Sequence, residues 1–367
     1  MVYQDAFHRL SEAFKVSRQR VFGPKVIAAK NIILYGVSER TAGIIDCLKA
    51  QGRIPTQYLF ENENDKGENI KGIEKISIEQ IPRFDSENTV VLFSKTNISL
   101  MKNFIENGFS CFDFEWITYP AMFNEMFIME SLEEIMQAYD ILEDAESKDV
   151  FLSVLEYRIT ANPLYLKIAY WPQYFHPTVR PEAGDVIVDG GGFIGDTAES
   201  FIRYLNGNCR IHSFEPDSKN DDIFSRMIEK NKWEQNIVLN KRGLWGTTGK
   251  LSFSNQGTSS SRINEAGDSS EENSINVIDI DTYFFQKEEK PTLIKLDVER
   301  AEYETIHGAR NSISLNLPKL QICAYHNPWD LWRIPMVIHE MGLPYKLFLG
   351  HHMLSYCETV LYAQPMR

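Results

Sequence analysis

The sequence predicts an α/β protein. A mostly parallel sheet with an antiparallel C-terminal hairpin is expected to follow a smaller α/β domain and a helical connector. Three observations lead there. Short apolar runs alternate with helical patterns from about Gly184 onward, as they do when helices cover both faces of a parallel sheet. The last two runs, YKLFLG and TVLYA, are joined only by HHMLSYCE, too short for a parallel crossover. A separate strand–turn–helix pattern lies within the first hundred residues. At 367 residues two or three domains are expected, and composition places them at 1–125, 126–178 and 179–367.

The opening MVYQDAFHRLSEAFKVSRQR is charged throughout, so it reads as an amphipathic helix carrying Phe7, Leu10, Phe14 and Val16, not as a secretory signal. In KNIILYGVSERTAGIIDCLKAQG, Ile32–Tyr35 is a buried strand, Gly36 a turn and Ser38 a helix cap. Ile44, Ile45 and Leu48 form the buried helix face. QYLFENEN and TVVLFSK supply further strands of a small Rossmann-like unit. Its glycine pattern has decayed, because Ser38 and Thr41 stand where a dinucleotide fingerprint has glycines. A structural or partner-binding role suits it better. From Ser131 to Ile159 apolar residues recur at helical spacing, with Glu133, Glu134, Glu143, Asp144 and Glu146 on a solvated face.

The second segment continues with VIVDGG, RIHSFEP, NIVLNKRGLW, TLIKLDVE and KLQICAYH before the hairpin. Its one polar insertion, NQGTSSSRINEAGDSSEENS, is a flexible loop or a lid. In VIVDGGGFIGDTAESF a buried strand ends in Asp189, and Gly190, Gly192 and Gly195 satisfy GxGxxG. Asp196 is placed to cap the next helix, with Glu199 in capping-box register. GxGxxG alone does not separate NAD(P) from S-adenosylmethionine. A carboxylate at Asp189 repels a diphosphate at short range and attracts the cationic sulfonium and amino groups of the latter. Glu215, ending the second strand, can accept both ribose hydroxyls of either cofactor. Leu244 and Trp245 are placed to flank an adenine, and Trp245 suits the core equally. Asp297 and Glu299 project from the carboxyl end of one strand, and His326 lies on the same edge.

This row of motifs resembles the FkbM-like family of S-adenosylmethionine-dependent methyltransferases. The matching pieces are YFHP, VIVDGGGFIGDT, SFEPD, SSSRI, LIKLDVERAE, YHNPWDLWRIP, YKLFLGHH and ETVLYA, running from Tyr174 to Pro365. EDAESKDVFLSVLEYR resembles the helical lead-in of bacterial members. The resemblance implies the Rossmann-like methyltransferase sheet, S-adenosyl-L-methionine as cofactor, and O-methylation of a sugar, glycan or natural-product hydroxyl. Carried onto the motifs, it assigns the cofactor to Tyr174, Asp189, Gly190, Gly191, Gly192, Gly195, Asp196, Thr197, Glu215, Pro216, Asp217, Leu244, Trp245, Ser261 and Asp297. Two positions depart from the family pattern: Gly192-Phe193 replaces Ala followed by Asn or Tyr, and Arg300 replaces glycine.

Two chemistries remain open for the acceptor. His326 takes the hydroxyl proton while Asp297 or Glu299 orients it, or a divalent cation, Mg2+ or Mn2+, sits on Asp297, Glu299 and His326 and lowers the hydroxyl pKa. Of the aromatic residues before the domain, Trp171 suits the core and Tyr174 the site. A net charge of −13 argues against general nucleic-acid binding. No apolar run approaches a membrane span, and five scattered cysteines without a CxxC argue for a cytoplasmic protein. The expected partners are a small-molecule or saccharide acceptor and, through the N-terminal domain, another copy of the chain or a glycan-assembly protein. An NAD(P)-dependent sugar oxidoreductase and a non-catalytic partner in glycan synthesis are the competing readings.

Overall fold

The computed structural model describes residues 2–60, 73–254, 262–264 and 274–366. Ser261, most of the polar insertion and the end of QYLFENEN lie outside the described residues. The chain divides into two units. Unit 1 comprises 1–133, 149–168 and 353–356; unit 2 comprises 134–148, 169–352 and 357–367. Among the described residues no helix is long and apolar enough to cross a membrane.

Unit 1 holds five parallel strands: β1 (Asn31–Tyr35), β2 (Gln57–Leu59), β3 (Glu74–Ile76), β4 (Thr89–Phe93) and β5 (Ser110–Asp113). Their order is β3-β2-β1-β4-β5. The central pair β1 and β4 is buried on both faces, which is why NIILY and TVVLF read as nearly unbroken apolar runs. Gly36 makes the expected turn at φ +70°. Ser38 lies one residue too early to be the cap, since the next helix is Arg40–Lys49 with Glu39 before it. Its Oγ still accepts from the Arg40 N–H at 3.1 Å. Ser94 Oγ lies 2.7 Å from Ser38 Oγ and 2.8 Å from Thr41 Oγ1. The two hydroxyl residues that replace glycines are thus tied to the end of β4.

The first helix is present at Val2–Lys15, but its buried stripe is Ala6, Leu10 and Ala13, while Phe7 is 57% and Val16 47% exposed. Ala6, Leu10 and Ala13 fall at i, i+4 and i+7, one continuous face, and Phe7 is rotated about 100° from it. The expected helix 131–159 is interrupted. Leu132–Asp140 and Ala145–Thr160 are separate helices, and between them the Glu143 N–H donates to the Leu347 carbonyl at 2.8 Å. Residues 353–356 join unit 1 through buried Glu115, which accepts from the Ser355 hydroxyl at 2.6 Å, the Tyr356 N–H at 2.8 Å and the Tyr157 hydroxyl.

Unit 2 opens with β6 (Val186–Gly190), β7 (Arg210–Phe214) and β8 (Ile237–Asn240). There follow β9 (Gly243–Leu244), β10 (Gly249–Ser254), β11 (Arg262–Asn264) and β12 (Ser274–Ile278), then β13 (Leu293–Leu296), β14 (Lys319–Cys323), β15 (Tyr345–His351) and β16 (Thr359–Pro365). The main sheet has the order β15-β16-β14-β13-β6-β7-β8. It is parallel except for β16, which runs antiparallel to both neighbours. A second sheet, β11-β10-β12-β9, was not anticipated. NIVLNKRGLW is two strands: the chain leaves the main sheet after Asn240, and Gly243–Leu244 pairs with β12.

Fully buried Ile187, Val188, Leu293 and Ile322 form the middle of this sheet. Burying such side chains is worth about 1.5–3 kcal/mol each. Gln321 shares that core with them because its amide donates to the Tyr174 carbonyl at 2.7 Å and the Val179 carbonyl at 2.8 Å. The strand thereby fixes the segment that precedes the sheet.

Candidate active site

The glycine loop is shaped by its own packing. Gly191 adopts φ +73°, and a Cβ there would come within 1.8 Å of the Asp297 carbonyl oxygen. A Cβ on Gly192 would meet Ser213 Oγ at 2.2 Å, and one on Gly195 would meet Met227 at 2.4 Å. The Gly191 and Gly192 N–H groups both donate to the Phe214 carbonyl at 3.0 Å. Gly195, at φ +92°, occupies the cap position, so Asp196 lies inside the first helical turn and makes no capping bond. Glu199 pairs with Arg203 at 2.6 Å and closes no capping box. These are corrections to the expected helix start.

Asp189 is fully buried. Its Oδ2 accepts from Ser213 Oγ at 2.7 Å, and its Oδ1 lies 3.0 Å from Lys295 Nζ. Lys295 therefore balances the charge expected to repel a diphosphate. That argument against NAD(P) does not survive the structure.

Glu215 ends β7. Its Oε2 accepts from the Phe193 N–H at 2.8 Å and its Oε1 from the Asp217 N–H at 2.9 Å. Burial pushes its carboxyl up. Asp217 caps the helix Ser218–Asn231 through the N–H groups of Lys219 and Asn220, while Pro216 and Thr197 are half-buried. Leu244 is 2% exposed, and a Cβ on Gly190 would strike it at 2.8 Å; the neighbouring Trp245 is half-buried. Phe193 is 52% exposed at φ +46°, and Arg300 adopts φ +83°. Both departures from the family pattern thus fall on left-handed backbone, where Asn or Gly is easiest to accommodate.

Beyond β13 the remaining predicted residues come together. Asp297 Oδ2 accepts from the Tyr174 hydroxyl at 3.1 Å, and Oδ1 accepts from the Tyr325 hydroxyl at 3.2 Å. His326 Nε2 lies 3.4 Å from Asp297 Oδ1 and 3.8 Å from Glu299 Oε2. Tyr174 holds φ +66°, a strained value for an aromatic residue, with its N–H on the Tyr362 hydroxyl at 3.1 Å and its carbonyl on Gln321. Trp171 is buried, with a ring-edge contact to His176.

The residue that sequence reasoning missed is Glu302. It is fully buried in the first turn of the helix Glu302–His307, and its Oε1 accepts from His326 Nδ1 at 2.7 Å and the Val298 N–H at 2.8 Å. Glu302 orients the imidazole, the role expected of Asp297 or Glu299. Burial alone would lower the His326 pKa, but Glu302, Asp297 and Glu299 outweigh it and push it up to about 10. Burial also pushes Glu299 up to about 7, against the pull of His326. Burial opposes ionisation of Asp297 as well, yet Lys295, His326 and the Tyr174 hydroxyl hold it below its ordinary value.

Residues 184–359 match the protein-family model described as the Methyltransferase FkbM domain. The structure is similar to a methyltransferase FkbM from Methylobacillus flagellatus: 20% identity over 98% of this chain and 99% of that one, with a TM-score of 0.75. It also aligns with fibrillarin from Aeropyrum pernix, solved with bound S-adenosyl-L-methionine, at 12% identity over 52% and 70% of the two chains and a TM-score of 0.34. No curated protein matches the sequence. The segment that carries the glycine loop and the Asp297–His326 cluster is thus the one that matches the Methyltransferase FkbM domain, and the whole chain shares the fold of the Methylobacillus flagellatus protein.

Proposed function

We propose that unit 2 is an S-adenosylmethionine-dependent O-methyltransferase acting on a hydroxyl of a sugar, glycan or natural product. The observation that supports this best is the meeting, on one carboxyl edge of a parallel sheet, of a glycine turn with the carboxylates Asp297 and Glu299, whose side chains are 27% and 45% exposed. Those carboxylates suit a cationic, phosphate-free ligand. Tyr174, the glycine loop, Glu215 and Asp297 would hold the cofactor, which when bound supplies an electrophilic methyl group on a sulfonium.

The acceptor hydroxyl must lose its proton as it gains the methyl. Glu299, at about 7, has the better-matched basicity. His326, held by Glu302, keeps its proton and steadies the two acidic side chains beside it. We assign the base role to Glu299 in place of His326. Calorimetric titration is expected to give binding of S-adenosylmethionine and its demethylated product, with none of NADH. Binding of NADH alone would support the oxidoreductase, and cofactor binding without transfer to any screened acceptor would support the non-catalytic partner.

A cation reading draws on the same cluster, because one atom each from Asp297, Glu302 and His326 lies within 4.8 Å of the others. Glu302 replaces the expected Glu299 in that group, and Mg2+ or Mn2+ held there would lower the hydroxyl pKa. It needs a neutral imidazole, which three neighbouring carboxylates oppose. Turnover is therefore expected to survive a chelator; loss restored by either ion would assign the cation. The proposal places the protein in the cytoplasm, with its N-terminal domain docking a second copy or a glycan-assembly protein.

A further inference from the structure

We propose that Lys295 is the positioning residue of the glycine loop, a buried cation whose two hydrogen bonds and one ion pair hold the turn in one shape before any cofactor arrives. The inference rests on the methyl-donor reading above for its consequence, though not for its geometry.

Strand register brings the parts together. β13 pairs with β6 so that Lys295 lies opposite Asp189 and Leu296 opposite Gly190. A lysine in a strand buried on both faces must find partners within the protein. Lys295 Nζ lies 3.1 Å from the Gly190 carbonyl, 2.9 Å from the Gly191 carbonyl and 3.0 Å from Asp189 Oδ1. Two ammonium hydrogens thus meet the uncharged Gly190 and Gly191 carbonyls, while Asp189 Oδ1 is an ion-pair partner that makes no hydrogen bond. A partner for Asp189 alone would need only one of these contacts.

The other side of the turn is held independently, by the Phe214 carbonyl that accepts from the Gly191 and Gly192 N–H groups. Gly191 is consequently gripped at both its carbonyl and its N–H, by the ends of two different strands. With Lys295 removed, the Gly190 carbonyl keeps the Asp297 N–H at 3.1 Å, but the half-buried Gly191 carbonyl loses the ammonium donor, and its peptide plane is freer to rotate. The lysine side chain is 2% exposed, so it acts on a ligand only through the loop.

Lys295→Met leaves Asp189 as an uncompensated buried charge and is expected to fold poorly. The double variant Asp189→Asn/Lys295→Met removes that penalty and carries the test. Hydrogen exchange of the peptide spanning residues 189–196 should speed up about tenfold or more in the ligand-free double variant, with the rest of unit 2 unchanged. S-adenosylmethionine affinity should fall about 10–100-fold while the acceptor KM stays put, a split that general destabilisation does not produce. Wild-type loop exchange together with wild-type affinity in the double variant would overturn the inference. If the unaltered protein itself ignores S-adenosylmethionine, the methyl-donor reading fails, and the loop-exchange result still decides the role of Lys295.

Discussion

Glu299→Gln is expected to lower methyl transfer by about 10²–10⁴-fold while leaving S-adenosylmethionine affinity within a few-fold of wild type. The glutamine keeps the size and hydrogen-bonding reach of the side chain but cannot take a proton. The pH profile separates the two candidate bases. Only the deprotonated form of the base is active, carboxylate for Glu299 and neutral imidazole for His326, so the rate should rise about tenfold per pH unit below the pKa and level off above it. With Glu299 as base the plateau begins near pH 7. With His326 as base the rise would continue to about pH 10. A profile still climbing at pH 9, with an unimpaired Glu299→Gln enzyme, would return the role to the histidine. The assay needs an acceptor, found by screening hydroxyl compounds with a labelled methyl donor.

Glu302→Ala is expected to cost about 3 kcal/mol of unfolding free energy, the low end for breaking a buried ion pair, because Asp297 and Glu299 still face the imidazolium. The variant removes the acceptor of both His326 Nδ1 and the Val298 N–H. Urea midpoints measured across pH give the sign. A histidine whose folded pKa is raised contributes stability in full below its unfolded value, near 6.5, and loses it as pH rises through about 10. The gap between wild type and Glu302→Ala should therefore be widest near pH 6 and shrink toward pH 10. A constant gap would mean that the lost stability comes from packing, with no contribution from the charge pair.

How much of this was legible differs from element to element. The main sheet was readable because a parallel strand buried on both faces leaves an apolar run, and the final hairpin because its connection was too short for anything else. Asp297, Glu299 and His326 were findable from their places at strand ends. Glu302 was not, although it lies within LDVERAE: a carboxylate in a first helical turn ordinarily faces solvent, and only the fold turns this one inward. Lys295 did leave a signal, as the charged residue of an otherwise apolar strand. The second sheet was hidden because β9 and β11 have only two and three residues and the sheet brackets the polar insertion. Phe7 misled the first helix for a related reason: residue size says less than angular position when alanines allow close approach.

Tyr174 carries a consequence for how pieces of this protein can be handled. It lies ten residues ahead of the segment that matches the family, yet its hydroxyl rests on Asp297 and its backbone on Gln321. The matched segment also stops at the first residue of β16, a strand interior to the sheet. A fragment cut at those limits, or a chimaera spliced there, would inherit the acidic side chains while losing an aromatic wall and an inner ribbon. A graft of this module must run past Pro365 and carry residues 134–148 as well as 169 onward, because Glu143 and Ser147 bond the backbone of β15.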